Sequence, residues 1–382
     1  MGKKNALQLD ERFILSVQSL PKHILIKTPA RICLFGDHQD YLGLPIIACA
    51  INRYMTFEGH KNGTDYFEII VPDLGEKRII PLDDALWKTN EPIDFFIAGL
   101  RVAKRYNCIP LEGFTITITS TIPINAGVSS SSALTVGWIH FLLNAFGTSE
   151  KITPEFIGKL AYEAEVIEHH SPGGKMDQYT IAIGETIFLE TGEKTQYQKL
   201  GIPINGLILA ESGIRKETIG TLKNTRKGAE KAIEKVMNAD SDFDIHKARN
   251  SNISSFQNIV GPELFPYFEA AVTNHYITQT ALAEFKQLKP NAEKLGQLMT
   301  QHHNVLMDLL GVSHPQIDTM LKAAIQAGAF GGKIVGSGGG GCAVVLASEE
   351  KKKAIINAFL EAGAKTAYEV QICQGSFVIH EV

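Results

Sequence analysis

Four short segments of the chain place polar side chains in apolar or glycine-rich surroundings, where they could bind or react with an oxygen-rich ligand. In residues 123–134, a turn of small residues carries four consecutive serines and leads into a mostly apolar run. A turn that opens a helix exposes unpaired N–H groups at the positive end of the helix dipole, which favours phosphate binding. The serine hydroxyls could cap the helix, bind phosphate oxygens or reach a Mg²⁺ ion. The alternative is an N-cap within a flexible serine-rich turn.

Two carboxylates, Glu165 and Asp177, flank residues 172–174, which are Pro-Gly-Gly. The glycines allow the backbone to turn back, so that both carboxylates can face one pocket. One carboxylate could then bind Mg²⁺ while the other lies beside a nucleophilic hydroxyl. The alternative is that both are surface groups of an amphipathic helix. Four nearby residues compete for the same roles, namely Glu163, Glu168, His169 and His170.

Residues 29–41 end in a polar turn that contains Asp37, His38, Asp40 and Tyr41. Carboxylates accept strongly from O–H donors, so this set suits the several hydroxyls of a sugar. A polar β-turn with local side-chain capping is the alternative. A zinc site at His38 is not indicated, because no second histidine follows at ligand spacing.

The fourth segment is rich in glycine, which occupies five of the six positions 336–341. So much glycine costs chain entropy on folding, so some neighbour must require a bare backbone. Close approach to a ligand or to another loop would explain it. A flexible connector is the alternative, although predicted strands on both sides argue against it.

Composition limits the kinds of protein this chain can be. Its 382 residues exceed what one core usually supports, so we expect two domains. A formal net charge of −4 gives no general attraction to nucleic acid or to an anionic membrane, which leaves a small molecule as the expected partner. No apolar run is long enough to span a bilayer, and the five scattered cysteines indicate reduced thiols rather than disulfides or zinc ligands. We therefore expect a cytoplasmic protein.

The hydrophobic pattern predicts the elements that position these four segments. It favours two α+β domains that meet near residue 200, with extents 1–200 and 201–382. The first is predicted to be rich in strands around helices at residues 94–106, 133–146, 154–169 and 176–183. The second is predicted to have helices at 217–235, 244–258, 262–274, 291–310, 315–327 and 351–362. Its strands are predicted at 206–211, 333–336, 342–346 and 366–373.

Together and in this order, the four segments resemble the signature motifs of the GHMP kinase superfamily, named for galactokinase and the homoserine, mevalonate and phosphomevalonate kinases. Within it, the chain most strongly resembles galactokinase-like sugar kinases. Residues 29–43 resemble their pattern Pro-Gly-Arg-Val-Asn-Leu-Ile-Gly-Glu-His-Thr-Asp-Tyr-Asn-Gly, and residues 175–178 resemble their Ile-Met-Asp-Gln. The resemblance implies an N-terminal domain of the ribosomal-protein-S5 type, a ferredoxin-like C-terminal domain and an active site in the cleft between them.

The resemblance also implies a role for each site residue. Asp177 would lie by the substrate hydroxyl as base or electrostatic partner, and Arg31 would keep it ionised while stabilising the transferred phosphoryl group. Ser131 and Glu165 would bind Mg²⁺. The sugar would be held by Asp37, His38, Asp40 and Gly174. The phosphates of ATP would be wrapped by the backbone of Asn125, Ala126, Gly127, Val128, Ser129 and Ser130.

Four departures from the galactokinase pattern concern the substrate and the nucleotide. Asp37 stands where the pattern has Glu, and Asn125 and Ala126 replace two glycines of the phosphate loop. Lys175 replaces an apolar residue, and this cation could contact phosphate or a carboxylated sugar. No clear counterpart of the family's sugar-contacting tyrosine occurs in residues 211–218.

The sequence thus predicts an ATP- and Mg²⁺-dependent sugar kinase that phosphorylates the anomeric hydroxyl of a hexose or of a derivative such as a uronic acid. One alternative is a mevalonate-type kinase, although an isoprenoid acid has too few hydroxyls to use the acceptors of residues 37–41. Another is a non-catalytic sensor of sugar and ATP, against which the intact Arg31, Glu165 and Asp177 argue. A non-catalytic phosphate-binding scaffold is a third. The sequence leaves open the sugar, the regulation, and whether the protein is a monomer or a homodimer.

Overall fold

The computed structural model describes residues 21–87, 93–124, 126–201, 205–215, 218–248 and 250–379. It contains one eight-stranded and one four-stranded sheet, with helices packed against both, which confirms the α+β class. None of the helices in these ranges combines the length and the apolar character needed to cross a bilayer. All five cysteines are free thiols, and four of them are buried.

The first sheet is built around a long antiparallel ribbon of its first two strands. Its strand order is β12-β1-β2-β5-β3-β4, with β6 paired to β2 and β7 paired to β6. Residues in the first half of β1 alternate between buried and half-buried, whereas residues 28–35 are all buried. The strands are β1 (His23–Phe35), β2 (Ile46–Lys61), β3 (Tyr66–Val71), β4 (Glu76–Pro81), β5 (Phe114–Ser120), β6 (Thr186–Glu190), β7 (Gln196–Lys199) and β12 (Phe377–Ile379).

Four helices and one π-helical turn accompany this sheet. The helices are α1 (Phe95–Arg105), α2 (Ser130–Phe146), α3 (Pro154–Tyr162) and α4 (Met176–Ile183), with the π-helical turn at Glu163–Ile167. Helix α2 lies close to the sheet because Gly137 faces Phe57, whose ring leaves no space for a larger side chain. The single helix predicted at residues 154–169 is instead the α-helix α3, which continues into the π-helical turn.

The second sheet has the strand order β11-β8-β10-β9, and all its neighbours are antiparallel. In chain order this is the β-α-β-β-α-β arrangement of a ferredoxin-like domain, as expected from the resemblance. Its strands are β8 (Leu207–Glu211), β9 (Gly331–Ile334), β10 (Cys342–Leu346) and β11 (Thr366–Val370). Its helices are α5 (Thr218–Ala239), α6 (Gln257–Val260), α7 (Phe265–Phe285), α8 (Ala292–Asp308), α9 (Pro315–Gln326) and α10 (Lys352–Glu361).

Two features of this half differ from the sequence prediction. The predicted helix 244–258 is instead formed by two 3₁₀ turns, Ile245–Lys247 and Asn250–Phe256, followed by the short α6. The chain also passes from the first sheet to the second after Lys199 and returns after Val370, so that β12 pairs with β1. The remaining 3₁₀ turns are Asp40–Leu42, Pro72–Leu74, Asp84–Leu86 and Glu349–Lys351.

Candidate active site

A cleft of about 390 Å³ lies between the two halves of the molecule. Most of its wall comes from the first domain, and Leu222, Gly336 and Ser337 contribute from the second. The cleft brings together side chains from four separate segments of the first domain, namely Arg31, Ser131, Glu165 and Asp177.

A bidentate ion pair between Arg31 and Asp177 lies at the centre of this cleft. Arg31 extends from β1 and donates from Nε to Asp177 Oδ1 at 2.7 Å and from Nη2 to Oδ2 at 2.8 Å. Its third nitrogen, Nη1, donates to the Gly127 carbonyl at 2.7 Å. Burial would lower the pKa of the Arg31 guanidinium, but the charge and hydrogen bonds of Asp177, together with weaker neighbouring charges, outweigh it and the pKa is raised. Arg31 is therefore a fixed cation beside a carboxylate that is still partly open to the cleft, with 26% of its side chain exposed.

The serine turn meets this ion pair at Ser129. Its backbone is left-handed, with φ 62°, and its hydroxyl donates to Asp177 Oδ2 at 2.5 Å and does not accept from the N–H groups of α2. Val128 is buried beneath the turn, and its carbonyl accepts from the Arg31 N–H at 3.3 Å. The first-turn N–H groups of α2 thus remain available to an anion in the cleft. Asn125, predicted to contact ATP, falls outside the described residues.

Of the remaining residues predicted to contact ATP, three line the cleft and two do not. Gly127, Ser129 and Ser130 are in its wall. Ala126 and Val128 are buried apolar residues of the turn, so that only their backbone could serve a phosphate. The assignment of these residues to ATP binding stays a prediction.

Glu165 faces the cleft from the π-helical turn. Its Oε2 accepts from Gln178 Nε2 at 2.6 Å, and its Oε1 accepts from the Ser132 hydroxyl at 3.0 Å. Burial is the main reason that the pKa of Glu165 rises to about 7, and the Asp177 charge raises it further. Its contacts are thus an amide and hydroxyls, although a buried carboxylate is most stable beside a cation. An oxygen-donor set that lacks a positive charge fits Mg²⁺, and Ser131 lies exposed at the same wall.

The four competing residues of this segment divide into two pairs. Glu163 accepts from the Tyr106 hydroxyl at 2.8 Å, and Glu168 pairs with Arg105, so both carboxylates are held outside the cleft. The two histidines line the cleft: His169 accepts from the Asp94 N–H at 3.0 Å through Nε2, and His170 lies beside it.

Asp40 and residues 173–174 form another part of the cleft wall. Asp40 Oδ2 accepts from the Met176 N–H at 3.2 Å, and burial followed by the Asp177 charge raises the pKa of Asp40 to about 6. A Cβ on Gly174 would lie 2.2 Å from Asp40 Oδ2, so only glycine permits this approach. The proposed role of Gly174 is therefore to leave space for the Asp40 carboxylate at the cleft wall.

Asp37 and His38 also line the cleft, but protein groups occupy their polar atoms. The Asp37 carboxylate pairs with Lys333 at 2.6 Å and accepts from the Gly336 N–H at 2.9 Å. His38 Nε2 lies 3.2 Å from the Ser337 carbonyl, and Nδ1 lies 3.1 Å from the Tyr41 hydroxyl.

Lys175 is turned away from the cleft, contrary to the prediction that it could contact phosphate or a carboxylated sugar. Its Nζ donates to the Gly192 carbonyl at 2.7 Å and to Thr195 Oγ1 at 3.0 Å. The reason is local: Lys175 immediately precedes α4, whose first turn directs Asp177 into the cleft and leaves the preceding side chain on the opposite side.

Sequence reasoning missed several residues that hold the predicted ones. Ser132 and Gln178 bind Glu165, and Lys333 binds Asp37. Gln178 follows Asp177 directly and Ser132 follows Ser131, so proximity in sequence was a usable signal for these two. No local signal marks Lys333, which reaches the site only through the packing of the two domains.

Comparison with known families agrees with the geometry of the cleft. The family described as GHMP kinases N terminal domain matches residues 95–185, and GHMP kinases C terminal matches residues 281–365. A third family, the galactokinase galactose-binding signature, matches residues 11–61. The three matches together span more than half of the chain and include Arg31, the serine turn, Glu165 and Asp177.

Curated relatives include two kinds of kinase at similar identity. A mevalonate kinase of Thermococcus gammatolerans is 29% identical over 323 residues, which are 82% of this chain and 86% of the relative. A galactokinase of Chloroflexus aggregans is 26% identical over 329 residues, which are 83% of this chain and 82% of the relative. Sequence identity therefore does not separate the two substrates.

Solved structures share the fold along almost the whole chain. Lactococcus lactis galactokinase complexed with galactose aligns with a TM-score of 0.82 at 22% identity, covering 96% of this chain and 98% of that one. Methanococcus jannaschii mevalonate kinase aligns with a TM-score of 0.68 at 23% identity, covering 92% and 99%. At these identities the likeness shows the common two-domain architecture.

Proposed function

Because this chain belongs to the GHMP kinase family, we propose that it is a sugar kinase that uses ATP and Mg²⁺. It transfers the γ-phosphoryl group of ATP to a hydroxyl of a hexose, and we assign the anomeric hydroxyl as the acceptor. The family match supports the phosphotransferase class, the neutral sugar is our inference from the charges of the cleft, and the anomeric hydroxyl follows from the resemblance to galactokinase-like kinases.

One observation carries the proposal. The Arg31–Asp177 ion pair, the N-terminus of α2 and the half-buried Glu165 face one cleft between the two domains. Phosphoryl transfer depends mainly on positioning and on stabilising the charge of the transferred group, and this cleft holds groups suited to both tasks.

Each group has one proposed role in the reaction. The first-turn N–H groups of α2 and the Ser130 hydroxyl bind phosphate oxygens. Asp177 accepts a hydrogen bond from the acceptor hydroxyl and orients it, while Arg31 balances the charge of Asp177 and lies beside the transferred group. Glu165 and Ser131 hold Mg²⁺, which supplies positive charge next to the phosphates when it is bound. The nucleotide base packs against Ile93 and Phe95, two apolar side chains of the cleft wall.

The charges of the cleft favour a neutral sugar over an acid. Among the described residues that line it, Arg31 is the one side chain with a permanent positive charge, and Asp177 already pairs with it. Asp40 and Asp177 are acceptors suited to hydroxyls, and Lys175 points elsewhere. A substrate carboxylate would therefore lie among acidic groups without a free cation to bind it. This argues against the uronic acid considered from the sequence.

A mevalonate-type kinase is the second candidate, and the identity to the Thermococcus mevalonate kinase favours it. The same charge argument disfavours it, since mevalonate also carries a carboxylate. The two candidates therefore make opposite predictions about one class of acceptor.

An acceptor screen tests the proposal. Release of ADP from Mg²⁺-ATP is measured with neutral hexoses, pentoses, uronic acids and mevalonate, and the phosphorylated product is identified by mass spectrometry. We expect turnover with a neutral hexose and none with mevalonate. Turnover with mevalonate alone would replace the sugar by the isoprenoid acid, and no turnover with any acceptor would contradict the kinase assignment.

A further inference from the structure

A fully buried lysine of the second domain pairs with an aspartate of the first. The side chain of Lys333 is 0% exposed and that of Asp37 is 1% exposed, and their charged groups are 2.6 Å apart. Lys333 Nζ also donates to the Ile334 carbonyl at 2.6 Å and to the Cys33 carbonyl at 3.3 Å. The ammonium group therefore joins its own strand, β9, to strand β1 of the other domain.

Both oxygens of Asp37 contact the second domain. Oδ2 faces Lys333, and Oδ1 accepts from the Gly336 N–H at 2.9 Å. Burial would raise the pKa of Asp37, but the Lys333 charge, together with hydrogen bonds and weaker neighbouring interactions, outweighs this and lowers the pKa to about 2. Asp37 is thus a permanent anion whose hydrogen-bonding capacity is directed to the protein rather than to the cleft.

The segment held by Asp37 begins the glycine turn. Gly336 and Ser337 belong to the second domain's part of the cleft wall, and the Ser337 carbonyl faces His38 Nε2 at 3.2 Å. Gly336 and Gly338 both have positive φ, of 77° and 85°, and a turn with so many glycines has many alternative conformations. Its position at the cleft therefore depends on contacts that fix its first residue.

Beyond the turn, the protein packs closely against the bare backbone. A Cβ on Gly338 would lie 2.1 Å from the Val312 carbonyl oxygen, and one on Gly340 would lie 2.9 Å from the Ile214 side chain. These contacts fix the far side of the turn, and they explain why residues without side chains are needed there. The near side is fixed through Asp37 and, by way of Ser337, through His38.

We propose that the Asp37–Lys333 pair is an interdomain latch that holds Gly336 and Ser337 against the cleft, with Lys333 as a positioning residue, and that Asp37 does not bind the sugar. A buried ion pair often adds little net stability, and its best-attested use is to specify one arrangement of the parts it joins. The link to catalysis rests on the proposed kinase function, whereas the latch itself does not.

Hydrogen exchange of the ligand-free protein tests the latch without any substrate. We expect Lys333→Met to accelerate amide exchange across residues 336–341 at least tenfold, while strand β10 changes less than twofold. Because this variant leaves a buried charge and can fail to fold, Asp37→Asn/Lys333→Met removes both charges and should show the same local acceleration. Lys294→Met is the matched control, since the exposed Lys294 pairs with Glu284 elsewhere in the same domain. Unchanged exchange at 336–341 in a folded variant overturns the latch.

Deoxy-sugar analogues separate positioning from direct binding. With the sugar found in the acceptor screen, each hydroxyl is removed in turn, and kcat/KM is measured for the wild type and for Asp37→Asn/Lys333→Met. The latch predicts a kcat/KM that falls by a similar factor for every analogue, because the variant changes the wall and not one contact. If one analogue loses its penalty selectively in the variant, Asp37 contacts that hydroxyl and our assignment is wrong. A wild type that phosphorylates no sugar contradicts the sugar kinase function, and the exchange result still decides the latch.

Discussion

At the scale of single residues, Glu165 lies in surroundings that disfavour its charge, whereas its proposed role as a Mg²⁺ ligand requires that charge. Its pKa is raised to about 7, so the folded protein binds this proton more tightly than the unfolded chain does. The stability that this proton contributes is complete below the unfolded pKa, near 4.5, and is lost as the pH rises towards 7. Above that range an ionised Glu165 without a metal destabilises the fold.

We therefore predict that Glu165→Gln stabilises the metal-free protein at pH 8, on the order of 2 kcal/mol, and has little effect at pH 5. Urea unfolding in the presence of a chelator measures the difference at both pH values. Glu163→Gln is the matched control, because Glu163 lies on the same turn and bonds to Tyr106 instead. A Glu165→Gln protein that is less stable than the wild type at pH 8 would count against the raised pKa.

The same carboxylate predicts how magnesium dependence varies with pH. A metal ligand must be deprotonated to bind, so protons and Mg²⁺ compete for Glu165. With a pKa near 7, we expect the Mg²⁺ concentration for half-maximal ADP release to rise about tenfold from pH 8 to pH 6. Glu163→Gln should keep this dependence and Glu165→Gln should lose it along with most activity. Equal pH dependence in the two variants would exclude Glu165 as a metal ligand.

At the scale of elements, the turn before α4 is shaped by one glycine and not by its neighbour. A Cβ at residue 174 would lie 2.2 Å from Asp40 Oδ2, whereas one at residue 173 would meet its nearest atom, on Val166, at 3.7 Å. We predict that Gly174→Ala raises KM for the sugar at least tenfold, while Gly173→Ala changes it less than threefold. Steady-state kinetics at saturating ATP measures both variants. Similar KM values for the two variants would show that sugar binding does not depend on the close approach of Asp40 to residue 174.

The elements at the site differ in how far the sequence could predict them. The strand, serine turn and helix around Ser129 follow from alternation, small residues and an apolar run, all of which are local. The π-helical turn that directs Glu165 into the cleft was predicted as ordinary helix, since a helical pattern does not show one extra residue in a turn. The predicted helix 244–258 failed because its amphipathic pattern is also compatible with successive 3₁₀ turns.

At the scale of the whole molecule, the last of the described strands returns to the first. Strand β12 pairs with β1, and Ser376 contacts His140 Nδ1 at 2.7 Å and Thr28 Oγ1 at 3.1 Å. This return and the Asp37–Lys333 contact join residues far apart in sequence, so a single sequence gave no sign of either. The glycines between Glu165 and Asp177 already allowed these two to face one pocket, but their convergence with Arg31 could be expected only from the resemblance to known kinases, because the spacing alone permits many arrangements.

The return passes through a crowded point at Gly375, where a Cβ would lie 2.1 Å from the Ala182 carbonyl oxygen. We predict that Gly375→Ala lowers Tm by about 2–6 °C, because the strand must shift or the backbone must give way. Gly192→Ala is the control, since its nearest neighbour would be at 3.8 Å. Calorimetry measures both variants, and equal Tm values would show that the final strand adapts without cost.

The central claim is that Asp177, held by Arg31 in a cleft between two domains, orients the hydroxyl that receives the phosphoryl group. The most direct measurement is kcat for ADP release by Asp177→Asn with the sugar found in the screen, beside Asp242→Asn, an exposed carboxylate far from the cleft. Positioned proton-accepting groups contribute about 10²–10⁴-fold to rate, so kcat should fall by that factor while ATP still binds and the fold is retained. Asp242→Asn should match the wild type. An Asp177→Asn enzyme with unchanged kcat would contradict the account.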